Sequence, residues 1–225
     1  MVTLEKMLMS SVHLGHQIKQ WNPKMSPYIY GERKGIHIID LLQTLICLQK
    51  TCNFLTKSTK LGKKTLFVGT KKQFTNIIQN CAENCNSFYI TQRWLGGMIT
   101  NWITMKKCLE KLKNIFYTKQ EMDGSLERLT KKESLILKKK KAKLEKYLSG
   151  IQNMTKIPDI VILVGQNREL NAVKECIKSK ITLITILDTN CDPTLTDFLI
   201  PANDDSISSV SLILNNFTDA INKID

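Results

Sequence analysis

The segment PDIVILVGQNRELNAVKECIKSKITLITILD, residues 158–188, contains two apolar runs separated by a polar stretch of helix length. Ile160–Val164 and Thr182–Leu187 are rich in β-branched residues and lack polar alternation, which is typical of strands covered on both faces. Residues 169–179 between them have the amphipathic pattern of a helix. The order strand, helix, strand predicts two parallel strands joined by a crossover helix.

The same alternation continues on both sides of this segment. Apolar runs predict further strands over Ile36–Ile39, Thr65–Gly69, Phe88–Ile90 and Phe198–Ile200. Amphipathic stretches predict further helices over Leu4–Met9, Leu41–Ser58, Gln73–Cys85 and Ile207–Ile224. We therefore predict an α/β fold, a three-layer α/β/α sandwich of the flavodoxin-like or Rossmann-like kind around a mainly parallel sheet.

Residues 105–154 interrupt this rhythm with two helical seams. Apolar residues recur at coiled-coil spacing in Met105, Leu109, Leu112 and Phe116, and again in Leu137, Leu144, Leu148 and Ile151. The sequence MDGS at 122–125 predicts the turn between them. We predict an antiparallel coiled-coil hairpin over 105–154, inserted into a discontinuous α/β domain formed by 1–104 and 155–225.

The chain is strongly basic, and the excess charge is concentrated on this hairpin. Thirty-three Lys and Arg face twenty Asp and Glu, a formal charge of +13. Between residues 106 and 146, fourteen Lys and Arg face six Asp and Glu. A solvated helix face is one interpretation of such a run. Its concentration on a protruding element favours a polyanionic partner, with nucleic acid ahead of an anionic membrane surface.

Composition also limits the environment of the protein. The longest apolar runs are far shorter than a membrane helix requires, so we expect no membrane span. The N-terminal residues lack the pattern of a signal or transit peptide, so we expect the protein to be made where it works. The seven cysteines are odd in number and scattered, which predicts reduced thiols.

An enzyme is one alternative function. The turn Gly69–Lys72 joins a predicted strand to a helix, where α/β folds often bind anions, and Asp188 follows a predicted strand. The turn does not match a P-loop, and all three histidines lie within the first 37 residues, so no acid–base partner is evident. Turn-forming side chains, with a helix N-cap at Asp205 or Ser206, explain Asp188 and the cluster at 203–205 better.

A zinc site is a second alternative. His13 and His16 could join a cysteine, and Cys81 and Cys85 are also closely spaced. A convincing site requires a second pair at recognisable spacing, and neither pair is followed by one. Buried or hydrogen-bonded side chains are the favoured interpretation, with Cys81 and Cys85 on the core face of one helix.

A set of ordered motifs resembles one family. The motifs are HLGHQ at 13–17, WNPKM at 21–25, GERKGIHIIDL at 31–41, LFVGTKKQ at 66–73, QRWLGGMITNW at 92–102, DTNCDP at 188–193 and IPANDDSI at 200–207. Together they closely resemble the bacterial and organellar type of the ribosomal protein S2 family, from about residue 4 to residue 214. The variants TNW, PDIVI and IPANDDSI are most similar to plastid members.

The resemblance carries expectations about function. It implies a structural constituent of the small ribosomal subunit, without catalytic activity, metal or cofactor, and not an independent homo-oligomer. The implied partners are small-subunit rRNA and other small-subunit proteins, with the mRNA-binding ribosomal protein S1 as a further neighbour and no membrane. The expected location is the plastid stroma on ribosomes, the mitochondrial matrix and the bacterial cytoplasm being alternatives.

Basic residues in the family motifs and on the hairpin are the candidate RNA contacts. We predict that rRNA phosphates are shared among Lys24, Arg33, Lys34, Lys71, Lys72, Arg93, Lys106, Lys107, Lys138, Lys139, Lys140 and Lys141. The loop Arg93–Trp102 has two interpretations. Either Arg93 contacts phosphate or a partner while one tryptophan packs at the base of the hairpin, or the whole loop only braces the hairpin. In both, Gly96 and Gly97 permit an unusual backbone path.

Overall fold

The computed structural model describes residues 2–121 and 131–223. Within these ranges, the side chains of residues 113–121, 131–134, 136, 137 and 140 are not described. The strands are β1 (Leu14–Gln17), β2 (Ile29–Arg33), β3 (Ile36–Ile39), β4 (Thr65–Val68), β5 (Phe88–Ile90), β6 (Ile160–Val164), β7 (Thr182–Leu187) and β8 (Phe198–Pro201). The helices are α1 (Leu4–Met9), α2 (Leu41–Lys60), α3 (Thr75–Asn84), α4 (Trp102–Glu121), α5 (Lys131–Leu148), α6 (Leu170–Lys178) and α7 (Ile207–Asn222).

The main sheet has five strands in the order β5-β4-β6-β7-β8, and every neighbouring pair is parallel. Thr65, Ile160 and Thr182 lie in register at the start of β4, β6 and β7. The chain order therefore reverses between β4 and β6. In open α/β sheets such a reversal opens a crevice at the carboxyl ends of the two strands.

Helices cover both faces of this sheet and confirm the predicted three-layer sandwich. On one face, Phe67 and Ile162 pack with buried residues of α2, α3 and α7, such as Leu55, Ile78 and Phe217. On the other face, the buried residues belong to α6, α4 and α5, and they include Val173, Leu109 and Leu148. All five residues of β6 are buried, as their uninterrupted apolar character predicted.

Ile36–Ile39 does not belong to the parallel sheet, contrary to its grouping with the other predicted strands. It forms β3, the central strand of a separate antiparallel sheet in the order β1-β3-β2. The β2–β3 turn uses Lys34 and Gly35, which both have positive φ, as a two-residue hairpin turn requires. Periodicity missed β1 and β2 because each is short and contains few apolar residues.

Two helices occupy the predicted insertion and contact each other. Met105, Leu109 and Leu112 of α4 are buried in one cluster with Leu148 at the end of α5 and with Ile151 after it. The seam residues Phe116 and Leu137 and the turn at 122–125 lie outside the described side chains. Coiled-coil packing and the domain division at 105–154 therefore stay predictions.

Two expectations about environment can be compared with the structure. Across the described helices, none combines the length and the apolar character needed to cross a membrane. All seven cysteine thiols are free. Cys81 on α3 and Cys85, the C-cap residue of α3, are buried in the same core cluster, which confirms the predicted core position.

Candidate nucleic-acid interface

Most of the twelve predicted RNA contacts are exposed. Lys106 and Lys107 lie near the start of α4, and Lys138 and Lys139 lie on α5. Lys141 is half-buried, with its Nζ 3.4 Å from Glu145 Oε1, and the side chain of Lys140 lies outside the described residues. The other exposed members are Lys24, Arg33, Lys34, Lys72 and Arg93.

Besides Lys141, two of the predicted contacts are engaged by carboxylates. Lys24 Nζ lies 2.6 Å from Asp192 Oδ2, and this bond, together with hydrogen bonds from Thr194, lowers the pKa of Asp192 to about 2. Lys71 Nζ is half-enclosed and lies 2.8 Å from both Asp204 Oδ1 and Asp205 Oδ1. Burial alone would lower the pKa of Lys71, but the two carboxylates outweigh it and raise that pKa. The positive charge of Lys71 is therefore neutralised within the protein.

His16 joins the small antiparallel sheet to the main sheet. Its Nδ1 lies 2.9 Å from Asp188 Oδ2, and its Nε2 lies 3.3 Å from Asp205 Oδ2. The hydrogen bond to Asp188 raises the pKa of His16 and outweighs the opposing effect of burial. The backbone N–H of His16 also donates to Thr189 Oγ1 over 3.0 Å. The sequence showed no histidine partner for Asp188; the fold supplies one.

These groups line a crevice at the carboxyl ends of β4 and β6, where the strand order reverses. The crevice has a volume of about 580 Å³, and its walls include His16, Lys71, Lys72, Arg168 and Asp205. Asp188 is buried, and its Oδ1 accepts the N–H of Thr189 over 2.5 Å, the local turn role that the sequence favoured. Ser206, one of the two predicted N-caps, begins α7 without a side-chain capping bond.

One group of residues in the described part of the chain has metal-ligand geometry. Single donor atoms of His16, Asp188 and Asp204 lie within 4.8 Å of one another. This is not the predicted zinc alternative, which combined His13, His16 and a cysteine. The same atoms already bond to each other and to Lys71, so an entering cation would compete with the ammonium group.

The loop before α4 wraps around one carboxylate, that of Glu175 on α6. Its Oε1 accepts hydrogen bonds from Trp94 Nε1 over 3.0 Å and from the N–H of Gly97 over 2.7 Å. Its Oε2 accepts from the N–H groups of Ile99 and Thr100 over 3.0 and 3.3 Å, and from Thr100 Oγ1 over 3.4 Å. Burial opposes ionisation of Glu175, but these donors outweigh it and lower its pKa.

Some side chains of the loop before α4 pack into the core and others are exposed to solvent. Trp94 is buried beneath the loop, Trp102 packs partly against the same core cluster, and Arg93 is exposed. Gly97 has a φ of +84°, whereas Gly96 has an ordinary φ and an open surrounding. Only one of the two glycines therefore requires the unusual backbone path. The loop both braces α4 and presents an arginine.

Comparison with known proteins decides what this arrangement belongs to. The family model described as ribosomal protein S2 matches residues 7–223. The chain belongs to the ribosomal protein S2 family. A protein of Euglena gracilis named small ribosomal subunit protein uS2c is 61% identical over 99% of this chain and 92% of its own length. The uS2c protein of Mesostigma viride is 54% identical over 98% of this chain and 96% of its own length.

Membership of the S2 family confirms the resemblance seen in the motifs, including its plastid character. The uS2 protein of Nostoc punctiforme, without the plastid suffix, is 51% identical over 98% of this chain and 83% of its own length. Within this S2 chain, sequence reasoning missed Glu175 and Arg168. A glutamate on an amphipathic helix and an arginine in a loop give no local signal, because their roles depend on distant segments.

Proposed function

We propose that this chain is a structural constituent of the small ribosomal subunit, bound to small-subunit rRNA and neighbouring proteins, and that it has no catalytic activity. The observation that carries the proposal is the match over nearly the whole chain to relatives named as small ribosomal subunit proteins. The net charge of +13 supports it, since a protein that binds RNA must neutralise phosphates.

The exposed lysines of α4 and α5 carry most of the RNA binding in this proposal. Lys106, Lys107, Lys138 and Lys139 are exposed, and none of them forms an ion pair with another described side chain. Their ammonium groups release counterions from rRNA phosphates, which makes binding depend on salt. Recognition rests on the shape of folded RNA, because the major groove of an A-form helix is too narrow to read.

The remaining predicted contacts fall into two groups. Arg33, Lys34, Lys72 and Arg93 are exposed and stay candidate contacts, as do Lys140 and Lys141 of the hairpin run. Lys24 and Lys71 are bonded to aspartates and contribute to RNA binding only if those bonds open. We assign both of them chiefly to holding loops together.

A nucleotide-binding enzyme is the less favoured function. The crevice lies where such folds bind nucleotides, but Lys71 is neutralised there and both ring nitrogens of His16 face carboxylates. Asp204 and Asp205 also repel a phosphate. We expect calorimetry of the purified chain with millimolar ATP or GTP to give no saturable heat. Saturable binding would support the nucleotide-binding enzyme instead.

The plastid ribosome is the proposed location, because the two uS2c relatives are 61% and 54% identical to nearly the whole chain. The neighbouring proteins of the subunit, with ribosomal protein S1 among them, are the proposed protein partners. Pull-down of the tagged chain from a whole-cell lysate, followed by mass spectrometry, identifies these partners. Recovery of plastid ribosomal proteins would support the plastid location, and recovery of mitochondrial ones would contradict it.

Sedimentation tests the function directly. A gentle lysate of cells that express the chain is centrifuged through sucrose at low and at high salt, and each fraction is probed for the chain. We expect it to migrate with the small subunit at low salt and to leave the subunit as salt rises. Migration as free protein at both salt concentrations would contradict the proposal.

A further inference from the structure

Lysines gather at the edge of the main sheet opposite to the crevice. The loops that enter β4, β6 and β7 lie side by side there, because Thr65, Ile160 and Thr182 are in register and neighbouring strands are about 4.8 Å apart. Six exposed lysines lie in these loops or in the helix ends that lead to them. This amino-end surface consists of Lys60, Lys63, Lys64, Lys156, Lys178 and Lys180.

Within the described part of the chain, these lysines form no ion pair. Asp219 of α7 lines one hollow together with Lys60, and the two carboxylates of the strand-entry loops are both used by the backbone. Asp159 Oδ2 accepts the N–H of Lys64 over 2.9 Å, and Asp197 Oδ2 accepts the N–H of Leu183 over 2.8 Å. The six ammonium groups thus outnumber the local carboxylates and stay exposed to solvent.

Helix stability explains only part of this surface. Lys60 and Lys178 lie in the last turns of α2 and α6, where a cation stabilises the helix dipole. Lys63, Lys64 and Lys156 lie in loops beyond any helix end, so the dipole gives no reason for them. Lys63 is further placed over the Phe54 ring, with its Nζ 6.0 Å from the ring centroid.

The two edges of the sheet differ in the chemistry that they present. At the carboxyl edge, Asp192 holds Lys24 in an ion pair, and Asp204 and Asp205 hold Lys71. Asp188 is bonded to His16. The amino edge presents lysines without such partners. The amino edge therefore attracts an RNA backbone through six exposed lysines, whereas Lys24 and Lys71 at the carboxyl edge are already neutralised.

We propose that the amino-end surface is a second rRNA-binding site of this protein. It binds the phosphate backbone of folded small-subunit rRNA independently of the hairpin lysines. This inference rests on the proposed function and adds a surface that the twelve predicted contacts do not include. Lys156 follows the buried base of the hairpin by five residues, counting from Ile151. One RNA segment reaches both surfaces from this junction.

The test compares two triple charge reversals of equal charge change in the full-length chain. The first is Lys63→Glu, Lys64→Glu and Lys156→Glu, which leaves the helix ends intact. The matched control is Lys6→Glu, Lys19→Glu and Lys50→Glu, at exposed positions away from the amino edge. Each protein is rebound to salt-stripped small ribosomal subunits from Euglena gracilis chloroplasts. Affinity is measured at several salt concentrations, and rRNA protection is mapped by hydroxyl-radical cleavage.

We expect the amino-edge variant to bind at least tenfold more weakly than the control variant at about 0.1 M salt. Its salt slope should fall by about two to three, at roughly 0.7–0.9 for each lost phosphate contact. One patch of rRNA protection should disappear with it. Equal affinity of the two variants, or weaker binding with unchanged rRNA protection, would overturn the inference. Failure of the unmodified chain to bind at all would instead contradict the proposed function.

Discussion

Glu175 shows how one side chain fixes a functional loop. Five donors from residues 94–100 converge on its carboxylate, so the loop adopts its shape only while that acceptor is present and charged. Hydrogen bonds to a charged group contribute more to stability than those between neutral groups. The chain therefore enters α4 from a loop that this carboxylate holds.

Replacing Glu175→Gln tests that role. One oxygen becomes an NH₂ group that faces donors, so we expect the free energy of unfolding at pH 7 to fall by about 2 kcal/mol. Urea unfolding measures it, with Glu110→Gln on the exposed face of α4 as the control. A loss no greater than that of the control would show that the carboxylate does not hold the loop.

The difference in stability between wild type and Glu175→Gln should depend on pH. The folded-state pKa of Glu175 is lowered, so its stabilisation is present above its unfolded pKa of about 4.5 and is lost as pH falls through the folded pKa. The difference between wild type and Glu175→Gln should therefore shrink below about pH 4.5. A difference that stays constant down to pH 3 would contradict the assigned cause.

The adjacent glycines Gly96 and Gly97 provide a matched test of backbone strain. Gly97 has a φ of +84°, and an added Cβ would lie 3.3 Å from Asn101 Cβ, whereas Gly96 has nothing within 4 Å. We expect Gly97→Ala to lower the free energy of unfolding by about 1–2 kcal/mol. Gly96→Ala should change it by less than about 0.5 kcal/mol. Thermal or urea unfolding of the two variants side by side gives the answer.

At the scale of elements, α4 and α5 carry the largest share of the excess charge. Reversing Lys106, Lys107, Lys138 and Lys139 to Glu should reduce binding to the small subunit by more than tenfold at about 0.1 M salt, because four phosphate contacts become repulsive. Co-sedimentation of the variant with salt-stripped subunits measures the loss.

The control for the hairpin variant changes four exposed lysines elsewhere, Lys6, Lys19, Lys50 and Lys174, to Glu. It has the same net charge, so equal loss in both would indicate a general charge effect. Unchanged incorporation of the hairpin variant would remove α4 and α5 from the RNA-binding surface.

A helix or strand could be predicted from the sequence where the pattern of apolar residues within that segment alone indicates it. The five parallel strands and the helices over 41–60 and 170–178 follow from apolar period and length, which the chain carries within each segment. β1 and β2 were missed because strands of four and five residues with few apolar side chains resemble loops. Their pairing with β3 depends on residues that are distant in the sequence.

At the scale of the whole molecule, His16 and Asp188 join the two sheets. The folded-state pKa of His16 is raised, so its stabilisation is fully present below its unfolded pKa of about 6.5. That contribution is lost as pH rises through the folded pKa. The advantage of wild type over His16→Gln in urea unfolding should therefore be largest near pH 6 and decline at alkaline pH.

This comparison is made in a chelating buffer, because a cation at the same atoms would replace the proton. His13→Gln is the control, since no carboxylate lies in an ion pair with His13 among the described residues. An advantage that grows with pH would show that the charged form of His16 does not join the sheets.

The sequence by itself determined the fold class, the family and the sign and location of the excess charge. These follow from periodicity, motif order and composition, which are local properties that can be read from the sequence without knowing any tertiary contact. Only the tertiary structure decided which charges are free. Lys71 and Asp204 are 133 positions apart, and Trp94 and Glu175 are 81 apart. Ion pairs and hydrogen bonds are short-range contacts, so their partners are known only once the folded chain brings them together.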